Sequence, residues 1–133
     1  MSTNELDQLQ GQIEQLILGS SSDVDGVACD VYEWQRHHCA AYDRFCDRVV
    51  QEPVRRWQDI PAVPTQAFQT IDLRSHSFEE SCAVFRTSGT TGSRPGKHYF
   101  QDLALYRKAA LRAFGQAFGL NATRRRCLSL IPD

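Results

Sequence analysis

Long apolar runs, a surplus of charge of one sign and closely paired cysteines are all missing from this sequence of 133 residues. No apolar stretch approaches the roughly 18 residues that indicate a membrane-spanning helix. The formal net charge is −1, so no overall basic field points to nucleic acid or to an anionic membrane surface. Residues 1–20 are acidic and amphipathic, unlike an export signal, so we expect a cytoplasmic location.

The cysteines are five in number, lie far apart and form no CxxC pair. A structural zinc site or a disulfide framework normally requires close pairs or an even set. We therefore expect no metal site and interpret all five as buried or incidental thiols. They are Cys29, Cys39, Cys46, Cys82 and Cys127.

Three segments have the apolar spacing of amphipathic helices. The first covers residues 4–18. The second begins after Asp30, where Glu33 completes a capping box, and continues to residue 49. It contains His37 and His38, to which we assign a structural role because no further metal ligands are visible. The third follows Asp102 and ends near Gly119, with an apolar face formed by Leu103, Tyr106, Ala110, Phe114 and Ala117.

The segment between the second and third helices contains the sheet candidates. Prolines 53, 61 and 64 predict an extended, ordered connector over residues 53–68, held by Trp57, Ile60 and Phe68. Short strands are predicted at 68–75, 82–88 and 97–100, and a buried strand at 127–131. Because few partner strands exist for the last of these, we expect the chain to be the front part of a longer protein.

The stretch TSGTTGSRPGKH, residues 87–98, is the most informative part of the sequence. Its glycines permit positive φ, so successive backbone N–H groups can converge on an anion. Its hydroxyls add donors, and Arg94 and Lys97 add positive charge. The alternative is a structural hairpin, since Gly, Ser and Thr clusters are often plain turns. The residues by themselves leave both interpretations open.

The Walker A phosphate loop does not fit this stretch. Only three residues separate Gly92 from Gly96, and Lys97 is followed by His98 where the motif requires Ser or Thr. The residues that follow indicate a strand, whereas a Walker A loop leads directly into a helix. A nucleoside triphosphatase of that class is therefore not expected.

TSGTTG followed closely by Pro95 and Lys97 resembles the phosphate-binding signature of the adenylate-forming acyl and aryl ligases. The runs WQDIPAVPTQAF, VFRTSGTTGSRPGKHYFQDLALYRKA and LSLIP resemble the acyl-protein synthetase branch of that superfamily. This branch includes the luciferin-component ligase of the bacterial luminescence fatty-acid reductase and is similar to the phenylacetate–coenzyme A ligases. The resemblance extends from Trp57 to Pro132.

The resemblance implies an α/β fold, with helices packed on an incomplete sheet. Residues 1–56 would form an amino-terminal helical segment, and residues 57–133 would begin the adenylation domain, with the loop at 87–98. The residues expected to bind the ATP phosphates are Thr87, Ser88, Gly89, Thr90, Thr91, Gly92, Arg94 and Lys97. The Ser-Arg-Pro-Gly run before Lys97 departs from the commoner Pro-Lys-Gly pattern, so which of the two cations meets phosphate stays open.

The implied reaction activates a carboxylic acid, expected to be a fatty acid, with ATP and Mg²⁺. The product is an acyl-adenylate, from which the acyl group passes to a thiol of the enzyme, of coenzyme A or of a carrier protein. None of the five cysteines stands at the position of the family's acceptor cysteine, so none is assigned as a nucleophile. The catalytic residues stay unassigned. We expect these 133 residues alone to be unable to complete the reaction. The alternative is a non-catalytic protein-interaction domain that uses its first helix and has a structural hairpin at 87–98.

Overall fold

A computed structural model of the chain describes residues 3–87 and 95–119. These residues form a mixed α/β structure that is mostly helical and contains a small antiparallel sheet of two strands. The helices are α1 (Thr3–Leu18), α2 (Val24–His38), α3 (Ala40–Val49), α4 (Ala67–Thr70) and α5 (Ala104–Phe118). The strands are β1 (Ala83–Arg86) and β2 (Lys97–Phe100).

The first predicted helix, residues 4–18, is confirmed as α1, which begins one residue earlier and ends at the same residue. It ends where Gly19 adopts a positive φ of 75° and donates its N–H to the Leu16 carbonyl. Leu9 is the buried member of its apolar stripe. The helix packs against both α2 and α5 and so joins the two ends of the described chain.

The single helix predicted from Asp30 to residue 49 is wrong, because the chain forms α2 and α3 with a break at Cys39. The amino-terminal cap is Asp23, whose Oδ1 accepts the Gly26 N–H at 2.9 Å. The Asp30–Glu33 pattern therefore lies inside α2. Cys39 has φ −125° and ψ 89°; it ends α2 by donating to the Gln35 carbonyl and begins α3 by accepting the Asp43 N–H.

The fold-back of α3 on α2 is held by one arginine and a small aromatic core. Arg36 donates to Asp43 Oδ1 at 2.7 Å and to Asp47 Oδ1 at 2.6 Å. The rings of Tyr32 and Tyr42 meet edge to face, with centroids 6.2 Å apart. The buried core consists of Tyr32, Cys39, Tyr42 and Cys46.

The connector is attached to this core as predicted, through the predicted anchor Ile60 but not through Trp57. Tyr42 donates its hydroxyl to the Pro61 carbonyl at 3.0 Å, and Ile60 packs on the core. Trp57 is 53% exposed, so its predicted role as an apolar anchor is wrong. It lies instead in a 3₁₀ turn, Trp57–Asp59, and its backbone N–H donates to Asp25 Oδ1.

The predicted strand at 68–75 is also wrong. A turn in which Ala67 donates to the Pro64 carbonyl leads into the short helix α4, and residues 71–75 have no regular structure. Local turn bonding after Pro64 outweighs a weak alternation that has no partner strand to satisfy it. The predicted strands at 82–88 and 97–100 are confirmed as β1 and β2. The predicted strand at 127–131 lies outside the described residues.

Helix α5 ends where predicted, but its amino-terminal cap is Leu103, one residue after the predicted cap Asp102, and the helix buries a different side. Asp102 accepts the Ala104 N–H at 2.8 Å, and Gly119 ends the helix with φ 58°. Of the predicted apolar face, only Leu103 is half-buried; Tyr106, Ala110, Phe114 and Ala117 are exposed. The half-buried positions within the helix are Leu105, Ala109 and Gly115. This side of α5 is the more buried one because the helix packs against α1, where Lys108 forms an ion pair with Glu14.

In the described part of the chain, none of the helices combines the length and the apolar character needed to cross a membrane.

Replacing the cap residue tests the revised start of α2. Asp23→Ala removes the acceptor of the Gly26 N–H and should lower the free energy of unfolding by about 1 kcal/mol. Asp23→Asn keeps an equally good cap and should stay close to wild type. Urea unfolding followed by circular dichroism measures both. Equal losses in the two variants would contradict the cap and implicate the charge of Asp23.

The core predicts a loss of stability at alkaline pH. Burial raises the pKa of the Tyr32 and Tyr42 hydroxyls and of the Cys46 thiol above their ordinary values. A raised pKa in the folded state gives stability that is complete below the unfolded-state pKa and is lost as pH rises through the folded-state pKa. The free energy of unfolding should therefore stay level up to the ordinary thiol pKa of 9.0 and fall above it.

Tyr42→Phe removes one of these groups and should make the alkaline decrease less steep. It also removes the bond to Pro61, at a cost of about 1 kcal/mol at neutral pH. Unfolding midpoints measured from neutral to strongly alkaline pH check both effects. Stability that does not change with pH, or a variant with the wild-type slope, would show that burial of these groups does not control the alkaline behaviour.

Candidate functional site

The neck of the hairpin fixes where the Gly-, Ser- and Thr-rich loop begins and ends. Beyond the last paired strand residues, Thr87 donates its N–H to the Gly96 carbonyl at 3.0 Å. Gly96 donates its own N–H to the Thr87 hydroxyl at 2.9 Å. These reciprocal bonds close the paired part of the hairpin, and the sequence places eight residues, 88–95, between them, more than the roughly two to five of a common hairpin turn.

Two of the predicted phosphate-binding residues, Thr87 and Lys97, lie at this neck. The other six lie outside the described residues: Ser88, Gly89, Thr90, Thr91, Gly92 and Arg94. A hairpin at the neck agrees with both sequence interpretations, because a phosphate-binding loop can also be carried by two paired strands. The hairpin bonding between Thr87 and Gly96 therefore fits both interpretations, and the distinction between them depends on the charges at the neck.

The strand register places two cations opposite each other at the neck. Arg86 pairs with Lys97 across the sheet, so their side chains leave the same face. Both residues are exposed, and within residues 5–87 and 95–119 neither has an acidic partner within ion-pair distance. Directly opposed like charges destabilise a sheet, and an anion bound between them would offset that cost.

Arg86 is a candidate that reasoning from the sequence missed. It precedes the TSGTTG motif by one position and belongs to the predicted strand 82–88. Its pairing with Lys97 depends on the register, which the bonds between Thr87 and Gly96 set. The sequence could have indicated it in one way. Arg86 and Lys97 lie at equal distances along the chain from the middle of residues 88–95, as paired residues of a hairpin do.

The neck is packed against helix α4 through Gly96. Gly96 is buried, and a Cβ built on it would meet the Phe68 Cβ and the Thr87 hydroxyl, each at 3.3 Å. Next to it, the Phe68 ring lies against the His98 ring, with centroids 4.4 Å apart. The half-buried Phe68 therefore packs against the neck, whereas the sequence predicted it only as an anchor of the connector.

A small pocket of about 220 Å³ opens beside the loop between α4 and the neck. Its walls include Pro95 and Lys97 on one side and Phe68 and Asp72 on the other. The Asp72 carboxylate lies 3.9 Å from the Arg74 guanidinium. Lys97 thus borders a recess large enough for a small ionic group.

The histidines and cysteines have surroundings that fit structural roles. The Nδ1 atoms of His37 and His38 lie 2.7 Å from the carbonyls of Glu33 and Trp34, one turn earlier in α2. The part of the chain that the structure describes contains no group of three or more His, Cys, Asp or Glu side chains arranged to hold a metal.

The four described cysteines are free thiols. Burial raises the pKa of Cys29 and of Cys46, which favours the protonated and unreactive form. Cys39 and Cys46 are buried and Cys82 is exposed, whereas Cys127 lies outside the described residues. Cys29 also has the carboxylates of Asp25, Asp30, Asp59 and Glu33 nearby, which oppose the thiolate that a catalytic nucleophile requires.

No protein-family model matches this chain, and neither does any curated protein or solved structure. The family resemblance therefore depends on the quoted sequence motifs alone.

A pair of glycine substitutions tests the packing of the neck. Gly96→Ala places a methyl group against Phe68 and Thr87 and should destabilise the protein by about 1–3 kcal/mol, as overpacking does. Gly115→Ala meets nothing within 4 Å inside α5 and should stabilise by about 0.5–1 kcal/mol. Urea unfolding of both variants gives the comparison. A neutral Gly96→Ala would mean that Phe68 does not press on the neck.

Proposed function

We propose that this chain is the amino-terminal part of an ATP-dependent ligase that activates a carboxylic acid, expected to be a fatty acid, as an acyl-adenylate. The observation that carries the proposal is the neck, where Arg86 and Lys97 face each other at the two ends of the TSGTTG loop. Two opposed cations beside hydroxyl and amide donors suit a ligand with several negative charges. The triphosphate of ATP is such a ligand.

In the proposed reaction, an oxygen of the substrate carboxylate attacks the α-phosphorus of ATP. A new phosphorus–oxygen bond forms, the bond to the β-phosphate breaks and pyrophosphate leaves. A thiol of the enzyme, of coenzyme A or of a carrier protein then attacks the acyl carbon and AMP leaves. Thr87, Arg86 and Lys97 would stabilise the charge that accumulates on the departing pyrophosphate.

Magnesium belongs to the proposal only as the companion of the ATP phosphates. Residues 5–87 and 95–119 provide no cluster of ligands that fits a metal ion of its own. We therefore assign no described residue to it and derive no step through it.

The competing proposal is a non-catalytic interaction domain with a structural hairpin. One observation favours it: the exposed apolar side chains of α5, among them Leu111 at 73% and Phe118 at 62%. The partner surface would then be α5, because α1 already packs on α2 and α5. The same apolar surface would also suit further sheet of a ligase domain, so nucleotide binding is the discriminating property.

Binding of pyrophosphate and ATP, measured by calorimetry at low and moderate salt, tests the proposal. We expect salt-sensitive binding by the wild-type chain. Lys97→Met and Arg86→Met should each weaken it about tenfold or more, because a hydrogen bond to an ionised group contributes about 1.5–3 kcal/mol. Each variant should also be at least as stable as wild type without ligand, since the repulsion at the neck is relieved.

Arg107→Met is the matched control, because Arg107 is exposed on α5 and lies in no described ion pair. It should bind pyrophosphate like the wild type. If the wild-type chain does not bind pyrophosphate, or if all three variants weaken binding equally, the phosphate role of the neck is wrong and the interaction domain is favoured.

A further inference from the structure

A larger cavity, of about 600 Å³, lies between α2, the connector and β2. Its volume is within the roughly 300–1,000 Å³ of small-molecule sites. Most of its wall is apolar or aromatic, contributed among others by Trp34, Tyr42, Val63, Phe68, Leu73 and Tyr99. Nothing in the phosphate-binding proposal uses this cavity.

Arg74 lines the cavity and has an unused hydrogen-bond donor. Its Nη1 atom is buried and has no hydrogen-bond partner among the described residues. Its Nη2 atom is 3.9 Å from Asp72 Oδ2, which is beyond hydrogen-bond distance. The side chain as a whole is 24% exposed, but Nη1 itself is closed to water, so no solvent acceptor replaces the missing one. Leaving a buried donor of a charged group unpaired is costly.

Two aromatic rings hold the guanidinium in this position. Its central carbon lies 5.5 Å from the ring centroid of Phe78 and 5.5 Å from that of Tyr99. Ring faces attract the positive charge, but they do not accept the N–H bonds that point outward in the guanidinium plane. The cation is therefore held in place at the cavity wall, where the 24% of its side chain that is exposed is the part that a ligand can reach.

The charges around the cavity suit a ligand with at most one negative charge. Among the described residues that line it, Arg74 is the only Arg or Lys and Asp102 is the only Asp or Glu, and Asp102 Oδ1 already accepts the Ala104 N–H. His76, also in the wall, has its Nε2 atom 3.0 Å from the Ser81 hydroxyl and is thus already engaged. A polyphosphate would need more cations than this wall provides, whereas one carboxylate matches one guanidinium fork.

We propose that this cavity binds an apolar carboxylic acid, with its carboxylate on Arg74 and its hydrocarbon part against the aromatic wall. The identification of this ligand as the acid to be activated rests on the proposed function; binding itself does not. Phe68 lines this cavity and also supports Gly96 at the neck, so the two sites are neighbours. An acid held here would lie beside the nucleotide phosphates.

Tryptophan fluorescence provides a local probe of this site. Trp34 lines the cavity, whereas Trp57 is 53% exposed and does not. A Trp57→Phe variant therefore leaves one reporter in the wall. Titration of this variant with decanoate and with decan-1-ol, which has no charge, should give tighter binding of decanoate by about tenfold or more.

Substitution of the cation tests its role. In the Trp57→Phe background, Arg74→Gln should remove the preference for decanoate over the alcohol, and Arg74→Lys should keep part of it because the charge remains without the fork. Arg48→Gln, at an exposed position on α3, is the matched control and should leave the preference intact. The preference is the ratio of the affinities for decanoate and decan-1-ol within one folded protein, and it is first measured with Arg74 present. The test therefore still has an outcome if an Arg74 variant fails to fold.

Equal affinity for decanoate and the alcohol, or no response of Trp34, would overturn the proposal. Pyrophosphate is titrated into the same Trp57→Phe protein by calorimetry. Pyrophosphate binding without decanoate binding would overturn the cavity assignment and leave the phosphate role of the neck standing. Decanoate binding without pyrophosphate binding would overturn the phosphate role of the neck and leave the cavity assignment standing.

Discussion

The reciprocal hydrogen bonds between Thr87 and Gly96 determine where the two strands separate and where the loop begins. They set the register that brings Arg86 opposite Lys97. They also hold position 96 where a Cβ would lie 3.3 Å from Phe68 and from Thr87, which is a tight contact and favours glycine there. The neck is thus connected through Phe68 to the connector, and through the Tyr42–Pro61 bond to the buried helical core. The position of the loop depends on this chain of contacts.

The three cations of the proposed sites, Arg86, Lys97 and Arg74, lie in two neighbouring places with different chemistry. Two exposed cations face each other at the neck, where a ligand with several charges would relieve their repulsion. A single guanidinium, Arg74, is held between two aromatic rings in a mostly apolar cavity. On our proposals the neck takes the phosphates of ATP and the cavity takes the acid. Such a division would bring together the two reactants of an acyl-adenylate synthesis, with Phe68 contributing to both sites.

Local signals in the sequence were sufficient for some elements and not for others. Helices α1 and α5 end where predicted because Gly19 and Gly119 readily adopt the positive φ of a helix terminus. The second helix was predicted as one because its apolar stripe continues across Cys39, and only tertiary contacts fold the chain there. The buried side of α5 and the helix in place of the strand at 68–75 likewise depend on neighbours that periodicity does not reveal. Of the candidate site, the motif and Lys97 could be predicted, whereas Arg86 and Arg74 become visible only when register and burial are known.

The most direct measurement of the central claim is a map of pyrophosphate contacts by amide NMR. The chain would be labelled with ¹⁵N and its backbone amide shifts followed during the titration, with sodium sulfate at matched ionic strength as the reference. The account predicts saturable shifts at Thr87, Gly96 and Lys97 and through the loop between them, stronger with pyrophosphate than with sulfate. Shifts that are absent, that do not saturate or that are equal for both salts would contradict it. The hairpin would then be a structural turn.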